Sequence, residues 1–80
     1  MLNPVGYHLL RQGHADDALG LFRLEAEIYP GSAFGYVGLG QAYAETGNRE
    51  AAVQNCETAL QKNPAATRAI EILRRLRPTS

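Results

Sequence analysis

A single cysteine, Cys56, stands in a chain of 80 residues. An intramolecular disulfide is therefore impossible, and a zinc site built from cysteines is excluded. Histidine is nearly as scarce. His8 and His14 lie on either side of Gly13, which interrupts any helix between them. A metal site needs its ligands on one face with further donors beside them, so a surface role is expected for both, and no cofactor is implied. Charge of one sign is not in excess: eight Lys and Arg balance eight Asp and Glu. That balance gives no electrostatic ground for nucleic acid or an anionic membrane as a partner. Apolar runs are short, and none approaches the ~18 residues of a membrane span. The opening MLNPVGYHLL has neither a basic region nor a small-residue cleavage site, so it is not expected to act as a signal peptide. What is present is an ordinary globular composition, 45% hydrophobic, on a chain long enough for one small domain.

Residues 33–43, AFGYVGLGQAY, hold Gly35, Gly38 and Gly40. They read either as a phosphate-cradling loop or as a helix that tolerates glycine for packing. The pattern elsewhere decides between these. Gly6 and Gly40, Gly13 and Gly47, Ala18 and Ala52, and Pro30 and Pro64 are all separated by 34 positions. Residue type is kept at the same offset in Val5 and Leu39, Leu9 and Tyr43, Asp16 and Glu50, and Leu19 and Val53, while Leu39 recurs as Leu73. A fixed period of this length marks a stacked repeat array.

Within each period the spacing is helical. Tyr36, Leu39, Gly40 and Tyr43 fall on one helix face, and Gly47 suits the left-handed position after a helix end. Asn48 is placed to cap a second helix with Ala52, Val53, Cys56, Ala59 and Leu60 as its apolar stripe, ended by Pro64. The first period repeats the scheme. Asn3-Pro4 opens a helix with Val5, Gly6 and Leu9 inward, Gly13 stops it, and Ala18, Leu19, Phe22, Ala26 and Tyr29 line the next one. A last helix is expected from about Ala65 to Leu76, with Ala66, Ala69, Ile70, Leu73 and Leu76 inward and Arg74, Arg75 and Arg77 near its end, where positive charge suits the helix dipole. Pro78-Thr79-Ser80 reads as a frayed tail. The expected fold is all-α: antiparallel helix-turn-helix units over 1–32 and 33–66, a terminal helix over 67–77, and no strands.

The pattern resembles the tetratricopeptide repeat family. Residues 33–66 match it at Tyr36, Leu39-Gly40, Tyr43, Gly47, Ala52, Ala59 and Pro64, departing at Cys56, where the family has a large aromatic. Residues 1–32 match at Val5-Gly6, Leu9, Gly13, Ala18, Phe22 and Pro30, with Glu25 at the second alanine position and Leu2 and Leu9 in place of aromatics. Small residues at Gly6, Ala18, Gly40 and Ala52 let paired helices approach, and Phe22, Tyr36 and Tyr43 fill the gaps. The stretch from Gly6 to Tyr43 is also similar to repeat tails of some bacterial serine hydrolases and esterases. That likeness implies an accessory domain of a larger enzyme, although no hydrolase catalytic segment is present. The missing opening positions before Met1 favour excision from a longer chain, whereas Asn3-Pro4 makes a competent start.

No catalytic constellation emerges, and the chain is read as not an enzyme. GYVGLG follows YPGS rather than a strand, so the repeat accounts for Gly40 without a nucleotide. Cys56 sits on a core stripe rather than in the electropositive, partly exposed setting of a nucleophile. Ser32 reads as a helix cap, and the RRLR run at 74–77 as a helix terminus without interleaved aromatics.

The resemblance implies binding in a concave groove lined by the first helix of each unit. By repeat position, Asn3, Tyr7, Leu10 and Arg11 come from the first unit. Phe34, Val37, Gln41, Ala44 and Glu45 come from the second, and Arg68, Glu71 and Arg75 from the last helix. A protein or peptide partner is expected there, held by Tyr7, Phe34 and Val37 through apolar contacts, with Arg11, Gln41, Glu45 and Arg68 setting polarity. Family members that grip the carboxylates of chaperone tails use Lys, Asn and Arg at positions that here hold Asn3, Tyr7, Gly38, Arg68 and Ile72, of which only Arg68 keeps the character. Self-association as a homodimer is the alternative, because two units are fewer than the ~3 such arrays need. Ile72, off the main stripe, would then lie in the interface.

Overall fold

Helix ends in this chain are set by local chemistry repeated twice. In the computed structural model, which describes residues 4–77, α1 spans Pro4–Arg11, α2 Ala15–Ile28, α3 Phe34–Glu45, α4 Arg49–Lys62 and α5 Thr67–Leu76. The roles expected of Leu2, Asn3 and the 78–80 tail lie outside the described residues. Gly13 and Gly47 both stand at φ +84°, the left-handed region that glycine enters without a Cβ penalty. The same hydrogen-bond pair closes both helices: His14 N donates to Leu9 O and Gly13 N to Leu10 O after α1, and Asn48 N donates to Tyr43 O and Gly47 N to Ala44 O after α3. Asn48 Oδ1 accepts from Ala51 N at 3.3 Å, the cap expected of it, while Ser32 Oγ accepts from Phe34 N at 3.2 Å from one residue ahead of the N-cap Ala33. The last helix begins at Thr67, where the terminal unit is expected to start, and ends at Leu76. Its far end is held by Arg49, whose Nε donates to Leu76 O at 2.8 Å, and by an Arg77–Glu57 ion pair.

Helices adjacent in sequence pack together, and α3 also touches α1 and α5. Every other helix therefore touches α3. No contact joins α2 to α4. The odd-numbered helices thus form a touching inner layer and the even-numbered ones a splayed outer layer, which curves the array around the inner side.

Glycine makes the layers possible. A Cβ on Gly35 would stand 2.6 Å from the backbone nitrogen of Ala26, closer than real contacts allow. Cβ atoms on Gly6 and Gly38 would run into the Phe22 ring, and one on Gly40 into Cys56 Sγ. The three glycines of α3 each cost about 1 kcal/mol of helix propensity, offset by close packing on α2 and α4. The GYVGLG stretch lies inside this helix, not in a loop before one.

Two apolar clusters result. Ala18, Phe22, Ala26, Leu39 and Ala42 join the first unit to α3, and Val37, Cys56, Ala59, Ala69 and Ile72 join α3, α4 and α5. Four residues depart from expectation. Val5 and Tyr29, expected inward, are more than half exposed, because α1 and the end of α2 have no neighbour on that side among the described residues. Ile72, expected in an interface between chains, is only 4% exposed and belongs to the second cluster. Val37, expected off the packing stripe, is 7% exposed in the same cluster, since α5 crosses over it.

Candidate functional site

Curvature toward the odd-numbered helices leaves a trough across α1, α3 and α5. Its first section is a pocket of about 250 Å³ between Tyr7, Phe34 and Arg68, with Val37 beneath and the 63–67 turn as a wall. The next section, about 360 Å³, is bounded by Tyr7, Leu10, Arg11, Gln41, Glu45 and Arg68. The third, about 260 Å³, runs from Gln41 and Glu45 to Ile72 and Arg75. Tyr7 and Arg68 belong to both the first and second sections, and Gln41 and Glu45 to both the second and third. The sections therefore adjoin one another along the α1/α3/α5 side.

Tyr7 is the anchor. Its ring lies 5.0 Å from Phe22, tilted by 60°, which fixes it to the first cluster. The Arg68 guanidinium sits 4.8 Å above the same ring, so α1 and α5 meet across α3 through a cation–π contact. Burial pushes the Tyr7 hydroxyl above its ordinary pKa; the positive charge of Arg68 opposes this and the Glu25 carboxylate adds to it. Gln41 Nε2 donates to Glu45 Oε2 at 3.1 Å, one helical turn apart on α3. Phe34 is 42% exposed at the rim.

All seven residues singled out for partner binding, Tyr7, Arg11, Phe34, Val37, Gln41, Glu45 and Arg68, border the trough. Val37 contributes floor rather than free surface. Ala44 and Arg75 border the third section, Glu71 borders none of the three, and Asn3 lies outside the described residues. The wall formed by Asn63, Ala65 and Thr67 was not foreseen. Its one signal is Asn63-Pro64, a turn pair whose Asn63 Oδ1 accepts from Ala65 N at 3.0 Å.

The remaining candidates separate from the trough. His14 is exposed beside Asp16 and Asp17, and among the described residues no three His, Cys, Asp or Glu side chains gather as metal ligands. No helix among them is long and apolar enough to cross a membrane. Cys56 is fully buried, and burial pushes its thiol up to about 11, with the Glu57 carboxylate acting in the same direction. Alkylation of native protein near neutral pH is accordingly expected to proceed only through unfolding. Rapid labelling of the folded chain, read by mass spectrometry, would contradict that burial. Because the folded thiol holds its proton more tightly, Cys56 contributes stability below pH 9, and this contribution is lost as pH rises toward about 11.

The fold and trough define a helical-repeat module. Residues 33–66 match the family model described as the tetratricopeptide repeat, so the resemblance read from the sequence is shown for the unit α3–α4. No curated protein and no solved structure gives a significant match to the chain. Repeats of this family are typically protein-interaction modules, and the match supports that general class for the unit α3–α4.

Proposed function

We propose that the chain is a non-catalytic module that holds a peptide segment of a partner protein in the α1/α3/α5 trough. The observation that supports this reading is the row of three adjoining sections that share lining side chains. A ligand fitting it places an apolar side chain between Tyr7 and Phe34. Arg11, Arg68 and Arg75 then face acidic groups along the peptide, and Gln41 and Glu45 supply hydrogen bonds at its centre.

A displayed peptide library panned on the protein tests this. Selected peptides are expected to carry an aromatic or large aliphatic residue near a carboxylate. Phe34→Ala and Arg68→Glu are each expected to weaken them at least about tenfold, or ~1.4 kcal/mol, with helix content unchanged. Binders indifferent to both changes would place the site elsewhere and overturn the reading.

A further inference from the structure

Zero net charge conceals two charged ends. Helix α2 carries Asp16, Asp17, Glu25 and Glu27 against Arg23 alone, while α5 and the residue after it carry Arg68, Arg74, Arg75 and Arg77 against Glu71, with Arg77 paired to Glu57 of α4. Each end also leaves apolar side chains incompletely covered. On α2, Leu24 and Ile28 fall on the side turned away from the buried Phe22 and are 51% and 57% exposed, with the partly buried Leu21 at their edge. Their counterparts one period later are Asn55, Thr58 and Lys62, so the repeat itself does not demand apolar residues there. On α5, Ile70 and Arg74 occupy the positions that in α3 are Tyr36 and Gly40. Gly40 closes on α4, and the ring of Tyr36 lies 5.4 Å from Lys62 Nζ at the end of α4. In α5 the matching side meets no helix among the described residues, which leaves Ile70 partly exposed beside the exposed Arg74.

We propose that copies of this chain stack head to tail, with the α2 stripe of one copy against the open side of α5 in the next. Leu24 and Ile28 would meet Ile70, with Asp17 and Glu27 facing Arg74. The occupant is a second copy because the two ends are complementary in both charge and apolar character. The symmetric alternatives, α2 on α2 or α5 on α5, set like charges against each other. A head-to-tail contact does not close on itself as a two-fold dimer does, so assembly continues into longer stacks or a ring.

Molar mass by light scattering, from micromolar to millimolar protein, tests the proposal. Wild-type mass is expected to climb beyond twice the monomer and to fall as salt is raised. Leu24→Lys with Ile28→Lys blocks one end, and Ile70→Gln with Arg74→Glu blocks the other. Each variant alone is expected to stay monomeric, and an equal mixture is expected to stop at a one-to-one dimer. Circular dichroism reports whether the variants fold, and Arg74→Glu alone replaces the second pair if that pair unfolds. A monomer at all concentrations, a plateau at the wild-type dimer, or two blocked variants that fail to pair would each overturn the proposal. None of these changes touches Tyr7, Phe34 or Arg68, so peptide binding in the trough is read independently.

Discussion

Phe22→Ala is expected to remove most of the stability of this chain. The ring is fully buried, fills the space left by Gly6 and Gly38, and supports Tyr7 from below. Truncating such a residue costs about 3–5 kcal/mol, because the glycine backbones around it have no side chains with which to fill the void. At roughly 0.05–0.15 kcal/mol per residue, a domain of this size holds only about 4–12 kcal/mol in total. Urea denaturation should show the midpoint falling sharply, or no folded baseline at all. Phe22→Leu, which keeps much of the volume, should fall between wild type and Phe22→Ala. Because Tyr7 leans on Phe22, peptide binding should weaken in Phe22→Leu before helix content declines. A small loss in Phe22→Ala would mean that the first cluster does not bind the first unit to α3.

The second large effect follows from an exchange of sizes between the two junctions. Phe22 faces Gly38 at the first. One period on, Cys56 shares its cluster with Ile72, so the small residue has moved to the outer helix and the large one to the inner. Cys56→Phe alone overfills that space and is expected to cost about 1–3 kcal/mol. Ile72→Gly alone is expected to cost about 3–6 kcal/mol, from lost burial and lost helix propensity together. Made together, the two changes rebuild the arrangement of the first junction and should cost less than their sum, by about 0.5–3 kcal/mol. Denaturant midpoints for the four members of the cycle measure this directly. Strict additivity would show that positions 56 and 72 do not compete for one space.

The same exchange explains what was legible in the sequence. Helix ends were, because Gly13, Gly47, Asn48 and Ser32 act on their own backbone neighbourhood and need no distant partner. The inner face of α3 was legible through the period. Val37 and Ile72 were not, because their burial is created where α5 lies across α3, and no spacing within either helix records that crossing. Cys56 stood out as a departure from the family pattern, but its compensation by Ile72 became visible only when both were found in one cluster. In the trough, repeat position pointed to Tyr7, Gln41, Glu45 and Arg68, which line one section of it. The turn at Asn63 that walls the first pocket was missed, because turns carry no periodic signal.

The position of α3 has a consequence for cooperativity. Remove it, and the remaining helix packing falls into two pairs, α1 with α2 and α4 with α5, bridged by the Arg68–Tyr7 contact. Arrays of this kind often unfold from their ends, one unit at a time. Here both apolar clusters draw on the same helix, and that helix, with glycine at three of its twelve positions, has little tendency to form alone. Its order depends on being held from both sides at once. The two halves should therefore melt in a single transition, and amide protons of α3 should exchange with solvent no sooner than those of the longer helices that clasp it.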